Sequence, residues 1–530
     1  MRKIIALLLC AVLAVGCLAG CVIENEAEHI PTGNGLYSEE ETTPAATTAP
    51  EESEEKTQIV MAYYAELTLN PYACTDYTNR AFFPLLYQSL FVTDQDYNVS
   101  PLLCESYVMS EDMKNYTFYV TSDARFSDGD PVTGEDVTAS LLTAMSSGYY
   151  AGRFSHVKSI SNTGDGGVLI QLDTAYENLP LILDIPIVKK EQVSNTAPLG
   201  SGPYVLRTVG GSAALHKNTN WWCKAVLPID QQIIPLSPVE GTDGTVNIRD
   251  QFEFFDVSLV LADPGSAFYA EYRCDYELWE IESGYMMYIG CNILYSEHFD
   301  DGTLRTFLTY GIDRDYLAQD AYKGMVDPVT LPCAPTEVFY NKTLAANYGY
   351  DPMKFIDYLS RYRIPLKDGT QKKMVLLVNS DDSARVRIAR NIAENLTDLG
   401  LPTGTLECKG SNFKNVLVAG TYDIYLGMTR MSANMDLTEF FRPYGEMSRG
   451  GLQHETIYSM CLNALENNGN YYNLYQKLVQ DGRIIPVMFG HYNVYAERGL
   501  MPDLEPARDN VFYYSLGKTM EGTLVEETYE

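Results

Sequence analysis

A mixed α/β fold organised in more than one lobe is what this sequence predicts, on three observations. First, 530 residues exceed what one hydrophobic core organises, at roughly 100–200 residues per domain. Second, 46% hydrophobic and 20% charged residues make a globular composition. Third, the stretch from Lys373 to Leu426 alternates strand-like and helix-like patterns as β-α-β-α-β, which builds an α/β layer of its own.

Taken in order, the chain opens with Arg2 and Lys3 and an apolar run from Ile4 to about Val15. That run is too short to span a bilayer and is expected to be a secretory signal over residues 1–20. Leu18-Ala19-Gly20-Cys21 resembles the bacterial lipobox, so Cys21 is the expected lipidated N-terminus; Cys17 competes weakly because Ala14 stands where Leu is usual. Residues 21–56 hold ten glutamates among Thr, Pro, Ala and Gly and are expected to form a self-repelling, disordered linker. No later run reaches the 18 or so apolar residues of a membrane span. The expected location is the extracytoplasmic face of the cell membrane, held by lipid.

Thr57 to Tyr64 reads as a buried strand that ends before Asn70-Pro71. Asn115 to Val120 alternates as a half-buried strand. Asp128-Gly129-Asp130-Pro131 marks a turn, after which Thr133 and Asp136 form a variant capping box opening a helix towards Met145. No Glu closes a calcium-loop spacing there. Ser161 to Gly167 is a hairpin turn into Val168–Leu172. Gly200-Ser201-Gly202 precedes a strand rather than a helix, so it reads as a tight turn and not a phosphate cradle. Ser383 to Leu399 is a helix with Val386, Ala389, Ile392, Leu396 and Leu399 on one face, stopped by Gly400. Strands at Lys373–Val378, Thr405–Glu407 and Tyr422–Leu426 and a helix at Phe413–Ala419 complete that unit.

Charge and motif narrow the function. The 70 Asp+Glu against 38 Lys+Arg leave a net charge of -32, which opposes the basic footprint that a nucleic acid or an anionic lipid surface requires. Eight cysteines follow Cys21, none in Cys-x-x-Cys, and are read as mostly buried free thiols. The six histidines show no close pairing, so no metal site and no cofactor is expected. Gly-x-Ser-x-Gly, His-Glu-x-x-His and a supported Ser-x-x-Lys are absent, leaving an enzyme without a motif.

Several segments in order resemble the family 5 extracellular solute-binding proteins, the peptide/nickel/oligopeptide receptors of ABC importers. They are Leu69-Asn70-Pro71, Tyr87-Gln88-Ser89-Leu90-Phe91, the run from Pro101-Leu102-Leu103 through Phe126-Ser127-Asp128-Gly129 to Glu135-Asp136-Val137, Gly200-Ser201-Gly202-Pro203-Tyr204, Asn220-Trp221-Trp222, Gly311-Ile312-Asp313-Arg314 and Ile484-Ile485-Pro486-Val487. The resemblance implies a two-lobed periplasmic-binding-protein-like clamp of type II, in the large peptide-binding subclass, with an extra domain inserted in lobe I. Lobe I would comprise 57–90, 197–292 and 482–530, the extra domain 91–196 and lobe II 293–481. Hinges would lie near Cys291-Asn292 and Ile485-Pro486, and closure would follow ligand contacts.

It also implies a monomer that captures a peptide or other small solute and passes it to an ABC permease and ATPase complex. An extended peptide would pair with main chain on both lobes: Ala65, Glu66 and Leu67 on one side, Gly427, Thr429 and Met431 on the other. The family's ammonium-binding Asp aligns with Met431 here, so that clamp is missing or moved to Glu66 or Asp436; alternatively Arg430 selects an anionic ligand. Trp221 could stack a ligand or serve the core. Oligosaccharide or metal-chelate binding, and a surface sensor or adhesin without transport, stay open as alternatives.

Overall fold

Along the chain the strands are β1 (Met61–Tyr63), β2 (Phe91–Thr93), β3 (Val99–Pro101), β4 (Cys104–Ser110), β5 (Asn115–Val120), β6 (Val157–Asn162), β7 (Val168–Leu172), β8 (Tyr204–Val209), β9 (Ser212–Lys217) and β10 (Ile233–Pro238). They continue as β11 (Leu259–Ala262), β12 (Tyr276–Cys291), β13 (Val326–Pro328), β14 (Met374–Asn379), β15 (Thr403–Cys408), β16 (Ile424–Arg430), β17 (Ile484–Glu497) and β18 (Thr523–Val525). The structure is a computed structural model that describes residues 58–239, 244–262, 272–300, 302–362, 371–520 and 522–525. The expected signal peptide, Cys21 and the acidic linker lie outside them.

One 11-stranded sheet runs in the order β15-β14-β16-β12-β17-β11-β1-β10-β9-β8, with β13 on β17. The β14-helix-β15-helix-β16 unit forms at its lobe II end, with β15 and β16 both parallel to β14. Its long helix spans Ser383–Asp398, capped by Asp382, and Gly400 ends it at φ +100°. A second, five-stranded sheet, β18-β4-β5-β7-β6, lies in the region where the extra domain is expected. The expected capping box is present there: Thr133 N–H donates to the Asp136 carboxylate at 2.9 Å and Thr133 Oγ1 accepts from Asp136 N–H, opening the helix Gly134–Ala144. Gly200 and Gly202 lie against the Leu86 carbonyl, where a side chain has no room, so the pair is a packing turn as expected. Lobe I and the extra domain share one apolar core containing Phe82, Leu85, Phe118, Val168 and Phe512; lobe II has its own around Ile289, Leu376, Ile392 and Leu426.

Two long strands, β12 and β17, run side by side through the middle of the sheet. Tyr276–Glu282 of β12 pair with His491–Glu497 of β17, and Met286–Gly290 with Ile484–Phe489, while Tyr285–Cys291 pair on their other side with β16. The register breaks between Glu282 and Met286, a bulge that bends the strand. The crossing therefore lies at 282–286 beside Phe489–His491. Cys291 and Asn292 sit at the far, buried end of β12 in lobe II. Residues 286–290 pair with 484–489, and β18 pairs with β4. All eight cysteines in the described residues are free thiols, seven of them buried. Burial pushes the Cys104 and Cys291 thiols up to about 12, which keeps them protonated and unreactive.

Candidate functional site

The bulge at the crossing opens a cleft. A cavity of about 240 Å³ is lined by Tyr77 and Ala262 from lobe I, Tyr285 and His491 from the crossing strands, and Asp382 and Met428 from lobe II. On the lobe II side a larger cavity of about 870 Å³ is lined by Tyr288, Asp381, Arg385, Lys414, Gly427 and Arg449 among others. The two share Met428. The Tyr288 ring lies over Gly427, and any Cβ there would meet it. The tyrosine-rich lining supplies apolar ring faces with hydroxyls at their rims, suited to a ligand that is part polar.

The β16 edge forms the floor between these cavities, and its hydrogen-bond parity is decisive. Asn292 N–H donates to Asp423 O at 2.9 Å and Met431 N–H donates to Gly284 O at 2.8 Å, at opposite ends of the β12–β16 ladder. Successive residues of a strand turn their main-chain groups to opposite sides. Gly427, Thr429 and Met431 therefore spend theirs on β12, while those of Met428 and Arg430 face the other edge. On that edge β14 stops pairing at Tyr425. The available strip is one residue out of step with the expected Gly427, Thr429 and Met431.

The opposite expected edge is not a strand. Ala65, Glu66 and Leu67 are exposed in a turn past β1, with Leu67 N–H donating to Tyr64 O at 3.3 Å. Asn79 closes the strand end by bonding both main-chain groups of Tyr64 at 2.9 Å. Arg430 does not face the cleft either. It is ion-paired to Asp509 and lies 4.2 Å over the Tyr149 ring. Asp436 is half-buried beside His156, whose Nε2 is 3.1 Å away, and accepts from Thr438 N–H at 2.8 Å. Met431 is buried and its carbonyl accepts from Arg508. Trp221 packs edge-on against Tyr514 at 6.0 Å in an apolar cluster away from both cavities.

Beside the cleft the three parts of the molecule meet at one carboxylate. Asp509 pairs with Arg153 of the extra domain at 2.8 Å and with Arg430 of lobe II, and accepts from Tyr149 Oη at 2.7 Å. Burial alone would raise its pKa, but the guanidiniums of Arg430, Arg153 and Arg508 hold it well below the usual carboxylate range. Arg80 also lies 3.5 Å over the Tyr149 ring. Pro506-Ala507-Arg508-Asp509-Asn510 carries no periodic or motif signal, so only the fold exposes its role. The same holds for Tyr77, Tyr285, Asp382 and Met428.

Known proteins share this architecture. The glutathione-binding protein GsiB of Salmonella typhi is 26% identical over 319 residues, which cover 56% of this chain and 60% of that protein. The chain thus matches less than two thirds of the length of such curated relatives. The crystal structure of the ABC transporter substrate-binding protein CtaP from Listeria monocytogenes superposes with a TM-score of 0.68 at 15% identity, over 87% of this chain and 99% of that one. The oligopeptide-binding protein AppA of Bacillus subtilis, solved with a nonapeptide, gives 0.60 at 19% identity over 87% and 99%. Both share the two-lobed type II fold described above. The description "Bacterial extracellular solute-binding proteins, family 5 Middle" matches residues 98–451, about two thirds of the sequence, and the chain belongs to that family.

Proposed function

We propose that the protein is the capturing subunit of an ABC importer for short peptides, closing two lobes around an extended ligand and presenting it to a permease. The observation that carries the peptide reading is the unpaired β16 edge at Met428 and Arg430, set between cavities of about 240 and 870 Å³. A peptide main chain satisfies such an edge whatever its side chains, and the larger cavity leaves those side chains room. GsiB's name supports a short peptide, while solved structures of the same fold hold a nonapeptide in one case and metal chelates in others. Among the described residues no cluster of three His, Cys, Asp or Glu could hold a metal ion. Membership of this family of binding proteins also supports capture without chemistry.

The test is a thermal-shift screen of the purified protein, first unfolded and refolded to strip any carried solute. It would be exposed to pools of tripeptides, oligosaccharides and metal chelates. A ligand at about 100 times its Kd stabilises the native state by roughly 2.7 kcal/mol. A shift with tripeptides, glutathione among them, is the expected result. A shift confined to sugars or chelates would overturn the peptide reading.

A further inference from the structure

The β2–β3 hairpin turns through Asp94-Gln95-Asp96-Tyr97-Asn98. Asp94 closes it: its carboxylate accepts from Asp96 N–H at 2.9 Å and from Asn98 N–H at 2.8 Å, and its carbonyl accepts from Tyr97 N–H at 3.2 Å. A turn closed in this way puts position 97 in the left-handed region, at φ +63°, where glycine is at ease and a bulky side chain is strained. The chain places a tyrosine there. Such strain persists only where the surroundings hold it, and it gathers at functional places. Tyr97 is 8% exposed and joins the apolar cluster of Met286, Val329, Leu331 and Phe489. Leu181 joins the same cluster.

The hydroxyl of that ring ends at the β12 bulge. Tyr97 Oη donates to one oxygen of Glu282, and the other oxygen accepts from Gly284 N–H. Burial first, and then the Glu282 carboxylate, hold the Tyr97 phenol well above its usual value, so the hydroxyl stays a donor. Glu282 is the last residue in register before the break, and Gly284 takes φ +78° within it. From the bulge two bonds run on towards the cleft. Ser283 Oγ donates to the Gly490 carbonyl at 2.6 Å, and the Gly284 carbonyl accepts from Met431 N–H at 2.8 Å, just past the end of β16. Ser283, Tyr285 and Gly490 line the cavity of about 240 Å³. Tyr97 lines neither that cavity nor the one of about 870 Å³.

We infer that Tyr97 is a positioning residue for solute capture: it holds the Glu282–Gly284 bulge, and through it the Ser283 and Tyr285 wall of the cleft, without meeting the solute. The inference rests on the solute-capture reading and adds to it a route by which the β2–β3 hairpin, outside the cleft, sets the affinity. Without the phenol, one Glu282 oxygen has no hydroxyl to accept from, and the segment 282–286 is free to take other arrangements.

The test compares the natural full-length protein with Tyr97→Phe and with Leu181→Ala, which trims the same cluster and removes no hydrogen bond. Amide hydrogen exchange is measured without added solute, and affinity by calorimetric titration with glutathione and with a tripeptide pool. In Tyr97→Phe, exchange over 282–286 and at Met431 is expected to quicken about tenfold and peptide affinity to fall about tenfold, near the worth of one hydrogen bond. Exchange in the Ser383–Asp398 helix should not change. Leu181→Ala should lower the melting temperature and leave the affinity as it is. If Tyr97→Phe does not fold, Tyr97→Gly, which suits the left-handed turn, decides by the same two measurements. Unchanged exchange over 282–286, an equal rise in the Ser383–Asp398 helix, or unchanged affinity in a protein that binds peptides would overturn the inference. Local quickening in a protein that binds neither glutathione nor the tripeptides would uphold the hold on the bulge and sink the peptide reading.

Discussion

Asp509 is the residue on which the closed arrangement turns, because one carboxylate serves guanidiniums from two other parts of the molecule. Asp509→Asn keeps the shape and removes the charge, leaving the largely covered Arg430 without its counter-ion and Arg153 with Asp184 alone. Breaking a buried pair of this kind costs roughly 3–5 kcal/mol, so the urea midpoint should fall sharply, with the m-value unchanged if the lobes still close. Glu337 makes a pH prediction of opposite character. Its carboxyl, with one oxygen unpartnered, is pushed up to about 8 by burial. A raised folded-state pKa means that the stability it confers is complete below the unfolded value and is lost as pH rises through about 8. Glu337→Gln should therefore stand level with the natural protein near pH 5 and gain on it towards pH 8, by at most about 1.4 kcal/mol for each pH unit. A gap that does not widen with pH would show that the carboxyl is ionised throughout.

At the scale of the element, β16 separates two kinds of main-chain amide by one residue. Met428→Pro removes an N–H that faces the open edge, where proline is tolerated. Thr429→Pro removes one spent on β12. The first should fold and lose about tenfold in peptide affinity, near the worth of one hydrogen bond. The second should lose about 3 kcal/mol or more of stability. Equal behaviour of the two variants in both assays would reject the parity assigned here. This strand also shows how far the sequence could be read. Its existence, its place after the Gly410–Ala419 helix and the parallel unit around it follow from periodicity and stop signals. Its hydrogen-bonding side does not, because a slip of one residue exchanges the two sides and only the partner β12, more than 130 residues earlier, fixes which is which. Arg430 and Asp436 read as cleft residues for the same reason: Asp509 and His156 are distant in sequence, and nothing near either residue announces them. The Thr133–Asp136 cap, by contrast, is closed within three residues and was legible in full.

At the scale of the whole molecule, His156 fastens the extra domain to lobe II. Burial opposes its charge, but the hydrogen bond and charge of Asp436, with Asp173 beyond, raise its pKa; the same bond holds Asp436 below its ordinary value. For the raised histidine, the contribution is complete below about 6.5 and is lost as pH climbs through the folded value. For the lowered aspartate it is complete above about 3.9 and is lost as pH falls. The fastening is therefore strongest in mildly acidic solution. Thermal unfolding of the natural protein and of His156→Gln should differ most near pH 5–6 and converge towards pH 9. A constant difference would mean that the pair acts as a neutral hydrogen bond.

The pairing of β18 with β4 has a consequence for how the protein is made. β4 is synthesised early, but the strand that covers its outer edge emerges about four hundred residues later. Until then the Val108–Ser110 backbone offers bare amides and carbonyls to any passing strand. Likewise, β1 waits for β10 and β11, and β12 waits for β17, to complete the main sheet. The main sheet cannot close before β17 has been made. A nascent chain stalled short of β18 would keep that edge of β4 bare.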